Sequence, residues 1–185
     1  MPNADSIVVA GNGTVYVAPV GSTQPTTPTA SPAAAWLDLG YVSEDGVTFT
    51  ESKDIEDVLA WQSFYPVRKI VTGKEASLAF VLREWDERSI ALAFGGGTVT
   101  QPSAGVWRYE PPAPGTLDLR AMMIDWQDGT KNYRLIIPRG LVVEAVETNL
   151  TRTGAADLPI TFAAIPASTT DDAYILLTDS IAFSS

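Results

Sequence analysis

The sequence predicts a mainly β protein: an antiparallel β-sandwich or barrel with one flanking α-helix near residues 84–94, extended loops and terminal arms. Three observations predict it. Thirteen prolines and fourteen glycines are scattered along 185 residues, a composition that favours many short elements joined by turns. Runs such as Leu78, Phe80 and Leu82 alternate with the period of two that places apolar side chains on one face of a sheet. Only Glu84 to Phe94 has convincing helical spacing. The length suits one domain with arms, long enough to bury a core without a metal or disulfide.

Residues 1–13 are polar and glycine-rich around Ile7-Val8-Val9-Ala10. They are expected to form an N-terminal arm able to add a strand to a neighbour. Val15 to Val20 is the first expected strand. Residues 21–35, rich in Pro, Thr, Ser and Ala, are expected to be an exposed extended loop, and Trp36 to Val42 a second strand.

The segment 43–66 is unusual. It is expected to be a long acidic loop with a possible strand at Val47 to Thr50. Between 38 and 57 lie seven acids (Asp38, Glu44, Asp45, Glu51, Asp54, Glu56, Asp57) against one base, Lys53. Among and after them come Ile55, Val58, Leu59, Trp61, Phe64 and Tyr65. Large apolar groups on a charged loop are costly to leave in water, so a partner is expected to cover them. The candidate contact residues are therefore Asp54, Ile55, Glu56, Asp57, Val58, Leu59, Trp61 and Phe64, with Ile7 and Val8 of the arm.

Residues 67–72 and 76–82 are expected to be two strands turning at Gly73-Lys74. In the helix that follows, Glu84, Asp86 and Glu87 suit the positive end of the helix dipole. Trp85, Ile90, Leu92, Ala93 and Phe94 supply its apolar side, and Gly95-Gly96-Gly97 ends it. Val106 to Tyr109 is a short strand. Leu117 to Trp126 is expected to pair with Tyr133 to Ile137 across Asp128-Gly129. Strands at 141–150 and 158–165 follow, and 168–185 forms a C-terminal arm or edge strand.

Composition narrows the function. There is no cysteine and no histidine, which removes thiol nucleophiles, the commonest general base and most zinc sites. The net charge of −10 opposes tight nucleic-acid binding; it fits first an ordinary soluble acidic surface, and would also suit a channel that passes DNA without holding it. No apolar run is long enough for a transmembrane helix. No basic segment precedes an apolar run at the N-terminus, so a chain made in the cytoplasm is expected.

The short motifs have plain explanations. Asn12-Gly13-Thr14 and Asn149-Leu150-Thr151 match the glycosylation triplet by chance without a secretory signal. The glycine run lacks the Lys-Ser or Lys-Thr of a phosphate loop. Asp125 to Asp128 and Asp171-Asp172 are too sparse for a calcium loop. The acid group Asp54, Glu56, Asp57 has no fixed separation that would suit glycoside cleavage. Trp36, Trp85 and Trp126 are expected in the core and Trp61 at an interface. No enzyme activity, cofactor or metal is expected.

Gly13-Thr14-Val15-Tyr16-Val17-Ala18-Pro19-Val20-Gly21, a Pro/Thr loop, and then Trp36-Leu37-Asp38-Leu39-Gly40-Tyr41-Val42-Ser43-Glu44-Asp45-Gly46-Val47 resemble the major tail proteins of long-tailed, non-contractile phages that infect actinobacteria. The likeness extends through Trp61-Gln62 and the strand from Glu75 to Arg83 to Phe94-Gly95. It implies a β-sandwich of the tail-tube type and a structural virion protein made in a bacterial cytoplasm. Six copies would form a ring, and rings would stack into a tube around a tape-measure protein, contacting distal-tail and terminator proteins. DNA would pass through without specific binding, and no membrane insertion is implied. The segment 43–66 would then reach the next ring, with 1–13 as a second contact. Two alternatives stand beside this reading: a tail terminator or head–tail joining protein of related fold, and a β-sandwich carbohydrate-binding module.

Overall fold

The structure, a computed structural model, describes residues 6–144 and 146–180. The first five residues of the expected N-terminal arm and the last five of the C-terminal arm lie outside this range. In chain order the elements are β1 (Asn12–Pro19), β2 (Leu37–Asp38), β3 (Val42–Val58), β4 (Arg68–Leu82), α1 (Glu87–Ala93), β5 (Thr98–Ser103), β6 (Val106–Glu110), β7 (Arg120–Asp128), β8 (Lys131–Val142), β9 (Leu158–Ala164) and β10 (Ile175–Thr178).

Eight strands form one antiparallel sheet in the order β2-β1-β7-β8-β9-β4-β3, with β10 also paired to β8. β8 is the branch point. Its residues Tyr133 to Ile136 pair with β10, while Gly140 to Val142 pair with β9. The sheet divides there, and its two halves close on a shared core. Val15, Val17, Met122, Ile124, Leu135 and Ile137 come from one half; Leu78, Phe80, Leu82, Leu158, Ile160 and Phe162 come from the other. Leu92 and Ala93 of α1 complete it. The expected mainly-β architecture with one helix is the observed one.

The alternate residues of β1, β7 and β8 build a second cluster on the opposite face. Ala18, Ala121, Met123 and Ile136 pack there with Trp36, because a period of two sends neighbours to opposite sides. That apolar back face needs a cover. Residues 21–35 lie against it: they are the largely exposed loop that was expected, with no buried residue, but they are anchored at three carbonyls. The Trp36 indole donates to the Thr23 carbonyl at 2.9 Å. The buried Arg134 guanidinium donates to the carbonyls of Thr27 and Ala30, both at 2.8 Å, and grips both oxygens of Asp125 at 2.6 Å. Such a planar fork holds a carboxylate and a loop together in one geometry.

Several expectations need correction. The segment 43–58 is a strand rather than a loop, and the 67–72 and 76–82 strands are one continuous β4. The Gly73 region is not a turn. Asp54 faces Gly73 while Ile55 faces Val71, so Thr72 is an extra residue absorbed as a bulge. The expected strand at 36–42 shrinks to Leu37–Asp38, and the one at 141–150 stops at Val142. The helix begins at Glu87, because Asp86 caps it: its side chain accepts from Ser89 N, and the Ser89 hydroxyl accepts from Asp86 N. Trp85 therefore precedes the helix and is 45% exposed rather than in the core. Trp126 does pack on the core and stacks on Tyr133 with ring centroids 5.4 Å apart. β7 and β8 pair as expected, but Asp128 faces Lys131. The two loop residues are thus Gly129 and Thr130, with Gly129 at φ 59 in the first central position that favours glycine in a type II′ turn.

Candidate interaction surface

β4 is held on its far side by β9 only from Ser77 to Leu82. From Glu51 on β3 and Ala76 on β4 outward, the two strands pair only with each other among the described residues. This free hairpin extends about 25 Å at the usual rise of ~3.3 Å per residue, and residues 59–67 form its tip. A two-stranded ribbon without a third layer is marginal in water on its own.

Three features hold it. First, the strands carry opposite charge. β3 bears Glu51, Asp54, Glu56 and Asp57 against Lys53, whereas the paired length of β4 bears Arg68, Lys69 and Lys74 against Glu75. Lys69 Nζ meets Asp57 Oδ1 at 2.6 Å, and Lys74 Nζ reaches Glu51 Oε1 at 3.6 Å. The acidity read from 38–57 is thus partly neutralised by bases that follow it. Second, Ile55 faces Val71 across the pair. Third, Tyr174 braces the base. Its ring meets Phe49 edge-on at 4.8 Å, and its hydroxyl donates to Glu51 Oε2. That bond, with Lys74 and Lys53 nearby, holds the Glu51 carboxyl below the ordinary glutamate value, and it raises the Tyr174 hydroxyl.

The tip is unlike the rest of the surface. Trp61 and Phe64 are fully exposed, and Tyr65 and Leu59 are largely so. Of the sequence-derived contact residues, Ile55 and Val58 lie on the ribbon and Leu59, Trp61 and Phe64 at its tip, all exposed. Asp54, Glu56 and Asp57 lie along β3, where Asp57 is paired to Lys69. Ile7 and Val8 are exposed in the chain before β1 and form no strand.

Two further surfaces were not singled out by sequence reasoning. A cleft of about 530 Å³ opens between the start of β1 and the β3 segment around Val47, with Phe49 and Trp126 in its wall. It reaches the core between two strand edges that pair with nothing there. Another of about 390 Å³ lies between α1 and the β5–β6 hairpin, lined by Trp85, Ile90, Val99, Trp107 and Tyr109. Trp107 and Tyr109 are two apart on β6, and that spacing was the available signal: it puts both aromatics on one face. Among the described residues no cluster of acids could hold a metal ion, and no helix is long and apolar enough to cross a membrane.

The arrangement offers extended edges and an exposed aromatic tip for other polypeptides. A family model described as phage tail tube protein matches residues 1–184. The chain belongs to that family. No curated protein matches the sequence significantly. The phage tail tube family is structural rather than enzymatic, and membership places this protein among components that assemble with other copies of themselves into the tube of a phage tail. The family match spans the later strands as well as the segment up to Gly95 that carries the resemblance.

Proposed function

We propose that this tail tube protein forms six-membered rings that stack into the tube of a long, non-contractile tail of a phage infecting actinobacteria. The observation that supports stacking is the ribbon formed by Glu51–Val58 and Arg68–Ala76, whose apolar tip has no cover among the described residues. In this reading the tip reaches the next ring, and residues 1–13 make a second contact. Ring closure uses the sheet edges. Among the described residues the outer edge of β3 pairs with no strand, and β2 covers β1 only at Tyr16 and Val17. Joining such edges between subunits satisfies backbone groups otherwise open to aggregation.

The net charge of −10 supports a conduit through which DNA slides without specific binding. A tape-measure protein would occupy the lumen during assembly, and distal-tail and terminator proteins would close the ends. Electron microscopy of the concentrated protein tests the proposal. Hollow tubes of uniform width with sixfold end views are expected. Single rings that never stack would instead identify a terminator or joining ring, and rings of another order would overturn the hexamer.

A further inference from the structure

We infer that the aromatic tip of one copy seats in the cleft between α1 and the β5–β6 hairpin of a second copy, with Trp61 and Phe64 against Trp85 and Trp107. This rests on the proposed bridging role of the hairpin and names its receiving site.

The cleft suits the tip chemically. Trp107 of β6 is 67% exposed and Trp85, just before α1, is 45% exposed, and Ile90 and Val99 line the cleft with them. Exposed indoles facing a cleft offer the large flat surfaces on which aromatic side chains pack at the centres of interfaces. The rim is acidic, with Asp86 and Glu87 at the cleft. Asp86 is occupied in capping α1. Glu87 lies exposed in the first helical turn and has no ion-pair partner among the described residues. At the tip, Lys69 is held by Asp57. Arg68, next to the tip, has no carboxylate within ion-pair distance among the described residues. An unpaired cation beside the apolar tip thus matches an unpaired anion beside the apolar cleft, the complementarity that sets register between partners.

Position identifies the occupant. The tip and the cleft lie at opposite ends of one strand. β4 runs from Arg68, beside the tip, to Leu82, and Trp85 follows three residues later. At ~3.3 Å per residue this separates them by about 45 Å along the strand. A chain's own tip is therefore far from its own cleft, and a second copy must fill it. A knob at one pole and a socket at the other give a head-to-tail contact. It repeats without closing, as stacking along an axis requires.

A charge exchange tests the pairing. Arg68→Glu and Glu87→Lys, each confirmed folded by circular dichroism, should separately raise the protein concentration needed for tube formation about fivefold or more, since each sets like charges together. Arg68→Glu combined with Glu87→Lys should return it towards the starting value. If the combined variant assembles no better than either single one, or if neither single change matters, the inference is overturned. Trp107→Ala and Trp61→Ala separate this from the broader reading. Loss of tubes in both supports the socket. Loss with Trp61→Ala alone removes the socket and keeps the hairpin's role, whereas normal tubes from both remove the two together.

Discussion

Replacing Trp61 by Ala separates folding from assembly more sharply than any other change. The indole is fully exposed in the isolated chain, and its neighbours in the tip are exposed too. Exposed substitutions of this kind stay within about 0.5 kcal/mol of folding stability, so the Tm of the unassembled chain should move by less than ~2 °C. Covering a tryptophan on assembly hides roughly 150–250 Å². At about 25 cal/mol per Å², this gives an upper bound near 4–6 kcal/mol for each contact. Truncations at central interface tryptophans cost about 2–4 kcal/mol, so the concentration at which tubes form should rise about 30-fold or more. Light scattering during a concentration series, with thermal unfolding of dilute protein alongside, reads both quantities. Tubes at an unchanged concentration would refute the argument that a neighbour covers the tip. A Tm drop of many degrees would show that Trp61 is needed within its own fold.

Other changes probe the body of the fold. A methyl group at Gly140 would meet the Ala163 carbonyl at 2.3 Å and the Phe162 ring at 2.6 Å; Gly140→Ala should cost ~2–3 kcal/mol, seen as a Tm drop of roughly 4–12 °C. Arg134→Leu leaves Asp125 and two loop carbonyls without their donor, and breaking a buried pair on one side costs about 3 kcal/mol. Limited proteolysis should then cut within residues 21–35 first. The Glu51 carboxyl titrates below its ordinary value, so its contribution is present above the unfolded-state pKa and is lost as pH falls through the lowered folded-state value. Tyr174→Phe should raise the Glu51 titration midpoint, measured by NMR of the side-chain carboxyl, and leave in place that of Asp179, which is lowered by hydrogen bonds from Asn132 instead.

The regular parts of the fold were legible where one face meets one core. Leu78, Phe80 and Leu82 announced a strand because the period of two survives in the sequence, and Asp128-Gly129 announced the β7–β8 hairpin. β3 was hidden for the opposite reason. Both faces of its outer half meet water, so no alternation marks it, and only pairing with β4 reveals the strand. The Thr72 bulge interrupted β4 in the same way and imitated a turn. The cover over the back of the sheet was illegible because it depends on Arg134, more than one hundred residues from the carbonyls it holds. At the candidate surface, apolar residues in a charged segment drew attention to the tip, whose Leu59, Trp61 and Phe64 are exposed in the isolated chain. The cleft between α1 and β5–β6 was missed because Trp85 was assigned to a helix that begins only after Asp86.

The strand order has a consequence for synthesis. β1 pairs along its whole length with β7, which emerges from the ribosome about one hundred residues later, roughly 5–20 seconds at ordinary elongation rates. During that interval β1 has only the two-residue β2 to pair with, at Tyr16 and Val17, and β4 has only β3, because its other partner β9 emerges later. Pairings this distant make folding slow for a chain of this length. Subunits should therefore mature after release, as complete domains, with the nascent chain most prone to aggregation before β7 and β8 close their two-residue turn.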